Sequence, residues 1–302
     1  MDMKKLIVRT DDVGYTEVHD IGVFETYDRG YSTSADVMLD SPGTVAALKR
    51  LKNMPWVSIG WHAHFWNSPV LDTSEVKSMV IPGTNRFRLD VKTAMDVDYN
   101  EALAECRTQL KLCMDILGKA PDVGGSDKED TPFARAVSVV TKEYGMVYDF
   151  GHRIKLNPDG TVSYGEASPK WDSKHIYLAD NGAIGRESII KETLRELEDY
   201  DAVGWLLRDT HKLSELPEDA AVMHGFHPGY VDYYVARLGD PGPYMRYYTL
   251  SRTYDVEGLC SQRLHDWIKE NNIELCNLRD ALYGTHEYQN HLRNIGSDLC
   301  VY

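Results

Sequence analysis

The chain has 302 residues, of which 42% are apolar, enough to bury a full core in one large domain or two small ones. Its formal net charge of -14 repels phosphate backbones and anionic lipid, and no basic cluster escapes that average, so neither nucleic acid nor a membrane is expected as a partner. Only Leu6, Ile7 and Val8 precede the first charged turn, too short an apolar run for a signal peptide or a membrane span, and a cytoplasmic protein is expected. Its five cysteines (Cys106, Cys113, Cys260, Cys276 and Cys300) are odd in number and lack CxxC spacing, which implies neither a disulfide framework nor a thiolate zinc site.

The first predicted strand is Leu6 to Arg9, and a helix over Glu17 to Tyr27 follows it. A second strand, Asp36 to Leu39, leads through Ser41 and Pro42, good helix starters, into a helix over Thr44 to Leu51. The third strand is Val57 to Trp61. Leu103, Cys106, Leu110 and Cys113 then recur at helical spacing in Asn100 to Leu117, with Gly118 as a left-handed cap. A weak strand near Val123 and another over Met146 to Phe150 come next, followed by a helix over Arg186 to Tyr200. Ala220 to Gly225 reads as a strand, Gly258 to Glu270 as a helix, and Ile273 to Asn277 as the last strand. Strands alternating with amphipathic helices predict a parallel sheet with helical crossovers. No repeat or linker divides the chain, so residues 1–302 read as a single domain. Roughly seven parallel strands fit an α/β fold of the irregular (β/α) barrel kind, which typically needs ~250 residues; a doubly wound open sheet has the same periodicity. In both, function gathers at the carboxyl ends of the strands.

Those ends carry unusual polar residues: Asp11 and Asp12, His62 and His64, Ser126 and Asp127, and His224 and His227. Adjacent aspartates after a buried strand place like charges side by side, which costs energy unless a cation or proton relieves it; either could instead cap the helix at Glu17. In IGWHAHF, His62 and His64 share one face only if the extended backbone continues past Trp61, and one of them as ligand with the other as support is the simpler reading. In HGFHPGY, His224 lies inside the strand, whereas Pro228 and Gly229 turn the chain and expose His227. Trp61, Trp66 and the tyrosines from Tyr230 onward offer aromatic faces suited to a sugar ring, although large aromatics are mostly packing groups.

These segments, in this order, resemble the YdjC-like carbohydrate deacetylase family, which includes the chitooligosaccharide deacetylases. LIVRTDDVGYTEVHDIGVFETYDRGYSTSADVM is similar to that family's opening with its Asp-Asp-Phe-Gly, IGWHAHF to its Gly-Leu-His motif, MHGFHPGY to its Met-x-His-Pro-Gly motif, and SRTYDVEGLCSQRLHDWIKENNIELCNLRDAL to its closing segment. The resemblance implies an irregular barrel, one divalent metal ion (magnesium, manganese or zinc), and hydrolysis of the acetamide of an N-acetylated amino sugar or oligosaccharide by metal-activated water. It assigns Asp12 and His62 as metal ligands, Asp11 as general base and His227 as the group that assists the leaving amine, with Trp61, His64, Trp66 and Tyr230 around the substrate. One motif departs: where the family has Asp-Ser-His-x-His, this chain has GGSDKEDTP, so Asp127, or else Glu129 or Asp130, stands in for a ligand histidine unless all three cap the helix near Thr131 and Pro132. A metal hydrolase of another amide or ester would use the same residues, and a non-catalytic carbohydrate-binding member would have lost the metal. A homo-oligomer is compatible with all of these readings.

Overall fold

A computed structural model describes residues 4–125, 130–148, 150–157, 159–165, 175–179, 200–237 and 243–302. Its centre is β1 (Lys5–Val13), whose apolar run Leu6, Ile7 and Val8 is buried on both faces. Such two-sided burial is the signature of a parallel strand covered by helices. Strands β2 (Ser34–Val37) and β7 (Ala221–Phe226) flank β1 in parallel, and the short β8 (Glu274–Leu275) pairs with its first two residues. With β3 (Ser58–Trp61), β4 (His152–Leu156), β5 (Val162–Tyr164) and β6 (Ile176–Ala179), the order is β3-β2-β1-β7-β6-β4-β5 in an eight-stranded sheet. Every ladder is parallel except β4–β5.

The expected barrel is therefore corrected to a mostly parallel sheet that no ladder closes among the described residues. The weak strand near Val123 contributes single bridges to Gly60 and Val147, and the described residues of Met146 to Phe150 make no further bridge. Gly124 still donates its N–H to Val147 O (2.9 Å), and Gly151, with φ +81, follows Phe150.

Helices α1 (Glu17–Asp28), α2 (Thr44–Leu51), α3 (Tyr99–Leu117) and α4 (Pro132–Glu143) pack with the β2 and β3 side into one large apolar cluster. Their ends follow local chemistry: Thr16, Asp98 and Thr131 accept backbone N–H bonds as N-caps, and Gly118 closes α3 with φ +81. Short α5 (Gly204–Leu207) and α6 (Tyr233–Ala236) precede α7 (Pro243–Leu259), α8 (Gln262–Glu270), α9 (Leu278–Tyr283) and α10 (Glu287–Asn294). The helix expected over Gly258 to Glu270 is split, because Ser261 caps α8 after α7 has ended. The one expected over Arg186 to Tyr200 lies outside the described residues except for Tyr200, which is not helical. Helix α7 was not legible: Thr249, Ser251, Arg252 and Asp255 on it are buried, which erases the apolar stripe that marks a surface helix.

Helix α1 touches the chain just beyond β7 at Gly22, where a Cβ would stand 2.9 Å from the Tyr230 nitrogen and 3.0 Å from the Gly229 Cα. Rigid backbone on the far side leaves nothing to give way, so Gly22→Ala is expected to lower stability by ~1–3 kcal/mol in urea unfolding. A value near zero would mean that α1 can shift away at no cost.

Candidate active site

At the carboxyl end of β1 the regular ladder breaks. The register with β2 shifts between Thr10 and Val13, and Asp12 takes φ +61, a left-handed conformation that costs a non-glycine residue ~1–3 kcal/mol. In an unbroken strand Asp11 and Asp12 would face opposite ways. The irregularity lets both serve one cleft. After β3 the extended backbone also stops: Ala63 N–H donates to Trp61 O (3.1 Å), His64 N–H to His62 O (2.7 Å), and Phe65 has φ +57. Two successive tight turns, not the continued strand considered from the sequence, thus bring the two imidazoles together, with ring centroids 4.7 Å apart.

Asp12, His62 and His64 converge. Asp12 Oδ1 lies 3.1 Å from His62 Nε2 and 3.8 Å from His64 Nε2, and one donor atom from each residue falls within 4.8 Å of the others. Oδ1 is buried and is the carboxylate atom nearest both imidazole nitrogens. Two imidazole nitrogens and a carboxylate oxygen are a donor set for a divalent cation. The other oxygen, Oδ2, accepts from Arg252 Nη2 at 2.5 Å, and Arg252 Nη1 is 3.1 Å from His19 Nε2. Burial alone would raise the Asp12 carboxyl; Arg252, His62 and His64 outweigh it and hold the group well below the usual carboxylate range. Burial, with the charge of His62, pushes His64 down to about 2, which leaves it neutral and able to ligate. Burial also opposes charge on His62, but its bond to Asp12 and the charges of Asp12, Asp11 and Asp36 raise it. A proton and a cation therefore compete for that ring.

Asp11 faces the other way along the cleft. Its Oδ1 is 2.7 Å from Arg9 Nε, its Oδ2 accepts from Arg9 Nη2 at 3.0 Å, and His227 Nε2 stands 3.6 Å from Oδ2. Burial raises the Asp11 carboxyl and wins over the opposing pull of Arg9. His227 follows β7 in the turn made by Pro228 and Gly229. Its backbone N–H donates to Asp255 Oδ2 (2.8 Å), whose Oδ1 accepts from Tyr200 (2.7 Å), and the Tyr248 ring meets the imidazole edge-on.

Not every expected residue joins this cleft. Trp61 is buried in the core with its indole N–H on Gln109, so it packs and does not face a ligand. Trp66 is half-buried against the edge of His64. The Tyr230 hydroxyl donates to Glu25 on α1 at 2.5 Å, which commits it to that helix. His224 lies in the strand interior against Trp205 and is fully buried. Asp127 and Glu129 lie outside the described residues; Asp130 is exposed, and Thr131 itself caps α4. Arg252, Asp255 and Asp36 were missed, since a charged residue in a tyrosine-rich or strand segment carries no local mark of a buried partner.

Residues 5–123 match the family profile described as YdjC-like protein. Over 278 residues the chain is 21% identical to carbohydrate deacetylase 2 of Listeria innocua, covering 91% of this chain and 98% of that one. It is 27% identical over 219 residues to a carbohydrate deacetylase of Listeria monocytogenes, with 65% and 86% covered. A crystal structure from Enterococcus faecalis, provisionally described as a cellobiose-phosphate cleavage protein, shares the fold with a TM-score of 0.61 at 21% identity, covering 92% of this chain and 98% of that one.

Two outcomes follow from the buried charges. Arg252→Met strands the Asp12 carboxylate and is expected to cost ~3–5 kcal/mol in urea unfolding; a cost below ~1 kcal/mol would show that the pair is not held as described. Burial and the neighbouring His211 keep His224 well below its ordinary value of 6.5, so it stays neutral in the fold while the unfolded chain takes up a proton. The stability tied to it is complete above that ordinary value and lost as pH falls below it. His224→Leu should flatten the pH dependence of stability there by up to ~1.4 kcal/mol per pH unit, measured as urea midpoints across the range; an unchanged slope would contradict the assignment.

Proposed function

We propose, from the premise that this chain is a relative of the YdjC-like carbohydrate deacetylases, that it is a metal-dependent hydrolase removing an acetyl group from an N-acetylated amino sugar. The observation that carries the reading is the convergence of Asp12, His62 and His64 beside Asp11 and His227. Asp12, His62 and His64 would hold the ion, so the ligand set does not depend on Asp127. Two imidazoles favour zinc or manganese over magnesium. A bound divalent ion polarises the amide carbonyl and acidifies water.

The chain's own groups do the rest. Asp11, adjacent in sequence to a ligand but turned toward Arg9, is the proposed base that accepts the proton of the attacking water. His227 Nε2, 3.6 Å from Asp11, is the proposed donor to the departing nitrogen. The C–N bond breaks, the amine leaves carrying that proton, and acetate remains. Each proton transfer is worth roughly a hundredfold to ten-thousandfold. Arg252 keeps Asp12 ionised and oriented, and Trp66 and Tyr248 supply ring faces beside the two histidines.

Elemental analysis and acetate release from N-acetylglucosamine disaccharides test the reading. Asp12→Asn, His62→Ala and His64→Ala should lose the metal. Asp11→Asn should keep it while turnover falls at least about a hundredfold. A wild-type protein that holds no stoichiometric divalent ion and gains no activity when one is added overturns the proposal.

A further inference from the structure

His62 has two ring nitrogens with different surroundings. Nε2 faces Asp12 at 3.1 Å, while Nδ1 faces Asp36 Oδ2 on β2 at 3.7 Å. A neutral imidazole that ligates through one nitrogen carries its proton on the other, and the Asp36 carboxylate, 3.7 Å away and so acting by its charge rather than by a hydrogen bond, favours the proton on Nδ1. Asp36 reaches this position because its register partner on β3 is Gly60, where a Cβ would lie 1.8 Å from Asp36 Oδ1. Any side chain at position 60 would displace the carboxylate.

The same Asp36 Oδ2 is 3.5 Å from Arg9 Nη1. Arg9 lies on β1 between β2 and β7, opposite Ser34 and Gly225. The glycine leaves its guanidinium space, since a Cβ there would stand 3.1 Å from Nη2. Arg9 thus hydrogen-bonds Asp11 Oδ2 through Nη2, sets Nε beside Oδ1 as an ion-pair contact at 2.7 Å, and presents Nη1 to Asp36 at 3.5 Å. A planar fork can hold two carboxylates at fixed angles in this way; the point charge of a lysine cannot.

We propose that Arg9 and Asp36 are a positioning pair that couples the proposed base Asp11 to the proposed ligand His62, fixing the distance between proton acceptor and cation. The inference rests on the metal-hydrolase reading above. It predicts a division of labour: Asp36 acts on cation affinity through His62, and Arg9 acts on turnover through Asp11.

The test uses the full chain stripped of metal, with Mn2+ and Zn2+ as probes in calorimetric titrations and acetate release as the activity. Asp36→Asn should weaken cation binding by ~10–100-fold. Arg9→Lys should leave it within about threefold but lower kcat at least about tenfold with KM little changed, because the fork on Asp11 is lost. Thermal melting of the metal-free variants separates folding from positioning. If Asp36→Asn does not fold, Arg9→Lys alone decides, and unchanged kcat overturns the inference. Wild-type-like cation affinity in Asp36→Asn overturns it while leaving the metal reading intact. A wild type that binds neither ion overturns both.

Discussion

The ion pair between Arg252 and Asp12 is the contact on which the site depends. Both side chains are almost wholly removed from solvent, so neither charge would persist without the other. The pair ties α7 to the end of β1, and the contact of Arg252 with His19 adds α1 to the same knot. It also divides the labour of a single carboxylate. With Oδ2 committed to the guanidinium, Oδ1 is the atom left to face His62 and His64. Breaking a buried pair of this kind leaves an uncompensated charge at the centre of the sheet.

Around that pair, the chain gives up regular structure where chemistry is concentrated. Asp12 and Phe65 both take left-handed backbone conformations, and both sit beside the candidate ligands. A non-glycine residue accepts such a conformation only where its surroundings over-determine it. Here the surroundings are Arg252 on one side and the Phe65 contacts with Phe87 and Phe133 on the other. Apolar packing of Phe65 therefore helps hold the turn that presents His62 and His64.

The charge distribution has the same logic. The chain is acidic overall, yet Arg9 and Arg252 stand among Asp11, Asp12 and Asp36 in the cleft. Arg252 helps hold Asp12 ionised against burial, whereas at Asp11 burial wins over the opposing pull of Arg9. The sheet also permits this through missing side chains, because Gly60 admits Asp36 and Gly225 admits Arg9.

Much of this site was legible before any coordinates. Asp11, Asp12, His62 and His227 follow apolar runs that read as buried parallel strands, and a shared address at strand ends points to one end of the sheet. The first three helices were legible for the same reason, since apolar spacing and capping residues are local properties of the chain. Tertiary structure decided the rest. Whether the sheet closes depends on pairing between distant segments, and Val123 joins Gly60 and Val147 only by single bridges. Whether Trp61 faces a ligand or the core depends on the α3 residue Gln109, far away in sequence. That His64 joins His62 as a candidate ligand depends on two tight turns after β3, and that Arg252 holds Asp12 depends on bringing together residues 240 positions apart. Periodicity and capping report the environment of a residue's own helix or strand, whereas a buried charge finds its partner across the core, and no local pattern in the chain records that distance.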